Sequence, residues 1–155
     1  MRIGFFPNMG KSTIMAVLKM AAHICREEQI EVYLPDDLER PDTYKVLQIP
    51  KDHVLPRPEI FKHIDVAFSF GCDGTIIHLA RQIFSYNIPV CGINLGELGF
   101  LNQIEVHQLQ SHIKRVAQGD YTIEKRGHLH ACIDREDGSK EELVPIINEV
   151  VITRA

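Results

Sequence analysis

The stretch IDVAFSFGCDGTIIHLAR, residues 64–81, constrains the fold more than any other part of the sequence. Its first half is a continuous apolar run, which is typical of a strand that is buried on both faces. Its second half has apolar residues at helical spacing. The five residues Gly-Cys-Asp-Gly-Thr at 71–75 separate the halves and leave room only for a tight turn. A strand that passes so directly into a helix is typical of a parallel α/β sheet.

Further strands and helices alternate on both sides of this stretch. Helical spacing predicts one helix capped by Ser12, a second over roughly 75–86 with Thr75 as its cap, and a third that Gly119 ends. Apolar runs predict strands over 2–6, 31–34, 64–70 and 88–94. The alternation predicts an α/β fold with an open parallel sheet and flanking helices.

Two changes of pattern predict the domain organisation. Five of the eight prolines and many charges fall in 35–62, which predicts an irregular surface segment. After residue 119 the strand patterns YTIEKR, HLHACIDRE and LVPIINEVVIT follow one another, with Asp137-Gly138 as a hairpin turn. We therefore expect an α/β domain over 1–119 and the first strands of an incomplete β-rich domain over 120–155.

Composition and charge exclude several functional classes. The formal net charge of −4 gives no bulk attraction to nucleic acid or to anionic membranes. No apolar run approaches the roughly 18–20 residues of a membrane span. The amino terminus, MRIGFFPNMGKS, lacks the apolar core of a signal peptide. These features predict a cytoplasmic globular protein that contacts neither nucleic acid nor membrane.

The cysteines and histidines give little indication of a metal site. The four cysteines are widely separated, so we expect no zinc site and free thiols that are mostly buried. His128 and His130 alternate in HLHACI and would share a strand face, which is compatible with a metal pair or with an ordinary surface strand.

The segment GFFPNMGKST near the amino terminus is similar to a phosphate-binding P-loop, but its spacing differs. Gly4 and Gly10 enclose five residues, one more than the motif has. A strand, a turn and a capped helix account for the segment. Asn8 and Lys11 can still lie near a ligand, because the turn follows the carboxyl end of a parallel strand.

The turn at 71–75 has the residue types of a phosphoryl-transfer site. Glycines allow backbone N–H groups to approach a ligand closely, and a helix amino terminus attracts phosphate. Phosphate would repel Asp73, so the carboxylate needs another purpose. It can accept a proton from a substrate hydroxyl or orient a metal-bound phosphate, which together indicate phosphoryl transfer to an alcohol. A plain Asp-Gly turn before a capped helix is the alternative.

Three segments carry a resemblance to one family. GCDGT resembles the GGDGT signature of NAD kinases, diacylglycerol-type lipid kinases and, more loosely, phosphofructokinases. GINLGELGFL (92–101) and NEVVITR (148–154) resemble NAD kinases specifically, and the opening RIGFFPN is similar to their first strand. The resemblance implies transfer of the γ-phosphoryl group of ATP, or of polyphosphate, to the 2'-hydroxyl of the NAD adenosine ribose. It also implies Mg2+ that arrives with the phosphoryl donor, and a homo-oligomeric complete protein.

The same resemblance implies roles for individual residues. Asp73 would activate the 2'-hydroxyl, Gly74 would lie beside the nucleotide, and His78 would lie near the substrate one turn into the helix. His78 also fits an ordinary helix-surface histidine. Cys72 stands where the family has its second glycine. If that position needs positive φ, a Cβ costs roughly 1–2 kcal/mol; if it needs only a small side chain, cysteine is tolerated.

Three more residues are implicated farther along the chain. Phe100 resembles the apolar wall of the adenine pocket, and Asn148 and Glu149 match an Asn-Glu pair that contacts the dinucleotide. Phe100 also fits an ordinary core residue, and Glu149 also fits a solvated surface charge. Two other functions stay open: a nucleotide-binding module without catalysis, and a lipid kinase of the same superfamily, which only 71–75 supports.

Overall fold

The computed structural model of the protein describes residues 1–96, 99–102, 104–143, 145–151 and 153. Within these ranges, six parallel strands form one sheet and two short antiparallel strands form another. The strands are β1 (Arg2–Pro7), β2 (Glu31–Pro35), β3 (Val54–Leu55), β4 (Val66–Gly71), β5 (Val90–Asn94), β6 (Ile104–Glu105), β7 (Cys132–Asp134) and β8 (Lys140–Glu142). The α-helices are α1 (Ile14–Glu27), α2 (Thr43–Leu47), α3 (Arg57–His63), α4 (Asp73–Ile83) and α5 (Leu109–Ala117). Of the family-like segments, GINLGELGFL includes Glu97 and Leu98 and NEVVITR includes Ile152 and Arg154, which lie outside the described residues.

The strand order places a ligand-binding crevice at β1 and β4. The large sheet has the order β3-β2-β1-β4-β5-β6, and all its neighbouring strands run parallel, as predicted. β1 continues through α1 to β2 on one side, whereas β4 continues through α4 to β5 on the other. The strand order therefore reverses between β1 and β4. Ligands of open α/β sheets bind at the carboxyl ends of the strands that flank such a reversal.

Helices cover both faces of the large sheet. Successive strand residues point to opposite faces, so Phe5 and Phe6 of β1 belong to different hydrophobic clusters. Phe5 packs with Phe68 and Phe70 of β4 and with α1 and α5. Phe6 packs with residues of α3 and α4. Each fully buried phenylalanine contributes roughly 1.5–3 kcal/mol, and this packing fixes the carboxyl ends of β1 and β4.

The proline-rich segment 35–62 differs from the irregular surface segment that was predicted. It contains α2, β3 and all of α3 except His63, and it contributes buried side chains such as Leu47 and Ile60 to the core. Its prolines lie at element boundaries: Pro35 ends β2, and Pro58 is in the first turn of α3. Proline is tolerated in a first helical turn because the N–H that it lacks has no partner there.

The helix ends are partly as predicted. Ser12 is not the cap of α1, because the helix begins at Ile14 and Thr13 holds the cap position. Gly119 follows α5 with φ of +73°, the left-handed conformation that commonly ends a helix. No helix among the described residues is long and apolar enough to cross a membrane.

The region after residue 119 has less regular structure than predicted. Residues 121–128 form no strand, contrary to the prediction for YTIEKR. β7 and β8 form an exposed hairpin, and its turn contains Gly138 at φ of +82°, which confirms the predicted turn. Beyond the hairpin, Leu129 pairs with Ile146, and the described residues from 147 onward form no strand.

Candidate active site

The turn at 71–75 lies at the carboxyl end of β4, between the ends of β1 and β5. The Asn8 N–H, just after β1, donates to the Phe70 carbonyl at 2.9 Å, and the Leu95 N–H, just after β5, donates to the Gly71 carbonyl at 2.9 Å. α4 begins at Asp73, two residues earlier than predicted, so Cys72 and not Thr75 holds the cap position. The turn therefore lies in the crevice where the strand order reverses.

The Asp73 carboxylate accepts hydrogen bonds from the loop at 99–102, which follows β5 in the chain. Its Oδ2 accepts the Phe100 N–H at 2.8 Å, and its Oδ1 accepts the N–H groups of Leu101 at 3.3 Å and Asn102 at 3.1 Å. A carboxylate offers about four lone-pair sites. The three N–H donors among the described residues occupy three of these sites, so one lone-pair site on Oδ2 is left for a further donor. The geometry therefore suits one substrate hydroxyl at a defined position.

Two glycines permit this close approach. A Cβ on Gly99 would overlap all three atoms of the Asp73 carboxyl group, and a Cβ on Gly71 would overlap the Thr75 side chain. Neither glycine has a positive φ, so each is needed for space and not for backbone conformation. Sequence reasoning did not identify Gly99 or the loop at 99–102 as partners of Asp73. Gly99 follows the predicted strand 88–94, which neighbours β4 in a parallel sheet. This position was the sequence signal that could have placed the loop beside Asp73.

Cys72, which stands where the family signature has a glycine, has an unstrained backbone conformation. Its φ of −108° and ψ of −176° are extended, so the position does not need positive φ. Its side chain is exposed, with Sγ 4.0 Å from the Thr75 hydroxyl. Partial burial raises the pKa of the Cys72 thiol, but the N–H groups of Thr75 and Gly74, the Thr75 hydroxyl and the Lys11 ammonium together outweigh it and lower this pKa below its usual value.

The other cysteines differ from Cys72 in environment. Cys25 is buried and Cys91 is partly buried, and burial raises the pKa of each thiol to about 12. Cys132 is exposed. All four thiols are free, as predicted, but two are exposed, so the expectation that they are mostly buried is wrong.

We expect iodoacetamide at pH 7 to modify Cys72 first, because only the thiolate reacts and its lowered pKa raises the thiolate fraction. Mass spectrometry of digested protein measures the order of modification. The rate should rise with pH around a midpoint below the usual 9.0 of a cysteine thiol. Cys132→Ser, which removes the other exposed thiol, should leave this rate unchanged, whereas modification of Cys132 as fast as Cys72 would contradict the prediction.

Lys11 lies beside the same turn. Its Nζ would lie 3.5 Å from a Cβ on Gly96, just after β5, and its charge lowers the pKa of Cys72. The Asn8 side-chain oxygen accepts the Gly10 N–H at 3.1 Å. The segment that was similar to a P-loop therefore forms a turn that brings one ammonium group to the crevice. Together with the amino terminus of α4, this group favours an anionic ligand.

His78 belongs to a chain of polar contacts that joins α4 to Arg57 at the start of α3. Its Nε2 lies 2.7 Å from Gln82 Nε2, and Gln82 Oε1 accepts a hydrogen bond from Arg57 at 3.1 Å. Arg57 also pairs with Asp37 at 2.7 Å. Because Arg57 fixes the Gln82 oxygen, the Gln82 amide donates to His78 Nε2, and the proton of the neutral ring is on Nδ1. The side chain of His78 is exposed one turn from Asp73.

The other predicted residues are only partly brought together. Phe100 is 92% exposed, so the alternative of an ordinary core residue is wrong, and its N–H binds Asp73. Gly74 is exposed in the first turn of α4. Asn148 and Glu149 are exposed, and no hydrogen bond or ion pair between described residues joins them to Asp73.

The histidines near β7 give no metal site within the described ranges. His128 packs edge-on against Phe84 with ring centroids 4.4 Å apart, and His130 lies 3.7 Å from Glu142. Across the same ranges, no group of three His, Cys, Asp or Glu side chains could hold a metal ion.

Comparisons with known proteins show the fold and the family of the chain. A solved structure of yeast NADH kinase in complex with NADH superposes with a TM-score of 0.72 at 18% identity, over 93% of this chain and 45% of that chain, which shows the fold. The NAD kinase of Caldanaerobacter subterraneus subsp. tengcongensis is 30% identical over 155 residues, which are 99% of this chain and 52% of that protein. The NAD kinase of Methylibium petroleiphilum is 32% identical over 141 residues, which are 89% of this chain and 45% of that protein.

The family assignment depends on the α/β part of the chain. The chain spans about half the length of the curated relatives that it matches. The family model of the ATP-NAD kinase N-terminal domain matches residues 3–121, which include the large sheet, apart from Arg2 at the start of β1, and the loop at 99–102. The chain therefore belongs to the family of ATP-NAD kinase N-terminal domains.

Proposed function

We propose that this chain forms the amino-terminal, catalytic part of an NAD kinase. The enzyme transfers the γ-phosphoryl group of ATP, or of polyphosphate, to the 2'-hydroxyl of the NAD adenosine ribose and yields NADP. The observation that carries the proposal is the Asp73 carboxylate, which lies in the crevice between β1 and β4 with one lone-pair site on Oδ2 left over by its partners among the described residues. The relatives named NAD kinase support the choice of acceptor.

Asp73 acts as the general base. Oδ2 accepts the proton of the 2'-hydroxyl as the hydroxyl oxygen bonds to the γ-phosphorus of ATP, and the bond from that phosphorus to the bridging oxygen breaks to release ADP. Mg2+ enters as part of the MgATP substrate and neutralises phosphate charge. Lys11 and the amino terminus of α4 add positive potential on the protein side. Most of the rate enhancement comes from positioning and charge neutralisation.

The remaining site residues contact the nucleotide. Gly74 allows close approach of the nucleotide to the first turn of α4, which its exposure supports. Phe100 stacks on the adenine ring, and a 92% exposed aromatic side chain beside Asp73 supports this role. His78, one turn into α4 from Asp73, lies near the substrate. Asn148 and Glu149 reach the dinucleotide from the β-rich part of the chain.

We also propose the domain organisation of the complete protein. The α/β catalytic domain covers 1–119, and 120–155, which contain the β7–β8 hairpin, belong to a β-rich domain. The end of the family match at residue 121 and the left-handed Gly119 after α5 support this boundary. By the resemblance to the family, the complete protein is a cytoplasmic homo-oligomer.

An assay of NADP formation tests the proposed function. The protein, with any sequence beyond residue 155 retained, is incubated with MgATP or polyphosphate and with NAD, NADH or a diacylglycerol, and NADP is detected with an NADP-specific dehydrogenase. We expect NADP from NAD and no product from an NAD analogue that lacks the 2'-hydroxyl. Phosphorylation of the diacylglycerol alone would indicate the lipid kinase, and NAD binding without turnover would indicate the binding module.

A further inference from the structure

Asn102 is buried in a way that stability alone does not explain. Its side chain is 0% exposed, yet Oδ1 has no hydrogen-bond partner among the described residues, and Nδ2 makes only a long contact of 3.5 Å to the Gly71 carbonyl. A buried amide oxygen without a partner lowers stability, and an apolar side chain would avoid this cost. This cost indicates a role for Asn102 beyond packing, at the end of the 99–102 loop.

The surroundings of Asn102 indicate what it does. Its backbone N–H donates to Asp73 Oδ1 at 3.1 Å. Its side chain lies between two neighbouring strands, against the Gly71 carbonyl at the end of β4 and against Gly92 in the middle of β5, where a Cβ would overlap Oδ1. The side chain thus fixes the loop to the strand that presents Asp73, and it fixes the direction of the N–H that the carboxylate accepts.

We propose that Asn102 is a positioning residue for the phosphoryl-transfer step. It holds the 99–102 loop so that the N–H groups of Phe100, Leu101 and Asn102 orient Asp73, with the remaining lone pair of Oδ2 directed at the acceptor hydroxyl. Without the side chain, the carboxylate rotates among more orientations. This inference rests on the proposed function, because it assigns Asn102 a role in that same reaction.

The test compares Asn102→Ala with Ser69→Ala. Ser69 is the matched control, because its hydroxyl is also fully buried and without a partner among the described residues, in the same strand as Gly71. We expect Asn102→Ala to lower kcat by about 10- to 100-fold, the scale of a misplacement of about 1 Å. The KM values for NAD and ATP should stay within about twofold, since no substrate contact is removed. Ser69→Ala should leave kcat unchanged.

Amide hydrogen exchange, measured by NMR, gives a second readout on the same proteins. In the parent protein the amides of Phe100 and Asn102 should exchange slowly because the carboxylate holds them, and in Asn102→Ala they should exchange faster. If Asn102→Ala does not fold, Asn102→Ser is tested instead, because serine keeps a short hydrogen-bond donor. We then expect a smaller loss of kcat and a smaller increase in amide exchange.

The outcomes separate the inference from the proposed function. An unchanged kcat, an equal loss of kcat in Ser69→Ala, or a loss of kcat while the loop amides stay protected would overturn the positioning role. If the parent protein makes no NADP, the proposed function fails, and the exchange experiment alone decides whether Asn102 holds the loop on Asp73. Faster exchange at the loop amides in Asn102→Ala then supports the conclusion that Asn102 holds the loop on Asp73, and unchanged exchange refutes it.

Discussion

Replacement of Asp73 by asparagine is expected to lower the rate of NAD phosphorylation by about 100- to 10,000-fold, the usual contribution of a general base. The carboxylamide cannot accept the proton of the 2'-hydroxyl, whereas its size matches the carboxylate. Initial rates of NADP formation at saturating NAD and MgATP measure the effect. Turnover within about tenfold of the parent protein would exclude Asp73 as the base.

The same substitution is expected to lower the stability of the fold. The carboxylate accepts N–H groups through both oxygens, but an asparagine has one oxygen and one NH2 group. In either orientation the NH2 group of residue 73 faces at least one N–H donor of Phe100, Leu101 or Asn102. A donor left without a partner costs about 1–3 kcal/mol where it is buried, and less at the exposed Phe100 N–H. Thermal unfolding followed by circular dichroism measures this loss, and rates should be compared at a temperature where both proteins are folded.

Asp73→Asn therefore changes chemistry and packing together, and a second variant is needed to separate them. Gly99→Ala keeps the carboxylate but adds a Cβ that would overlap it. The carboxylate or the loop must move, and a shift of about 1 Å at the base is expected to cost on the order of 100-fold in kcat. The affinity for NAD, measured by titration calorimetry, should change much less than kcat.

Gly96→Ala is the matched control for Gly99→Ala. Both glycines lie in the connection after β5, but a Cβ on Gly96 would meet its nearest neighbour, Lys11 Nζ, at 3.5 Å, an ordinary contact. We expect Gly96→Ala to keep kcat within about threefold, since surface substitutions of this kind change free energies by about 0.5 kcal/mol. If both variants lose activity equally, or if Gly99→Ala keeps full activity, the contact between the loop and Asp73 has no part in catalysis.

The sequence was sufficient to predict the parts of this fold that local pattern decides. The continuous apolar run before Gly71 and the amphipathic run after it predicted β4 and α4, and the alternation of strands and helices predicted the parallel sheet. Because ligands of such sheets bind where the strand order reverses, the position of Asp73 at the carboxyl end of β4 also followed. Each of these inferences depends on residues close together in the chain.

The predictions failed where the local structure depends on residues distant in the chain or on neighbouring elements. The partners of Asp73 lie 27 to 29 residues away, in a loop whose approach depends on how β5 packs beside β4. The segment 35–62 was predicted to be irregular because prolines disrupt element interiors, whereas here they lie at element ends such as Pro35 and Pro58. In YTIEKR, the alternation was too short to form a strand without a neighbouring strand to pair with.

The central position of β1 has a consequence for synthesis of the chain on the ribosome. β1 is made before the other strands of its sheet, yet one of its two neighbours is β4, and the Arg2–Asp65 ion pair beside this contact joins residues 63 apart. At about 5–20 residues per second, β1 waits about 3–13 s for that neighbour. During this interval one edge of an apolar strand with Phe5 and Phe6 is unpaired, which favours association with other nascent chains. Slower translation before residue 66 should therefore lower the soluble yield, and a chaperone that covers β1 as it emerges should restore it.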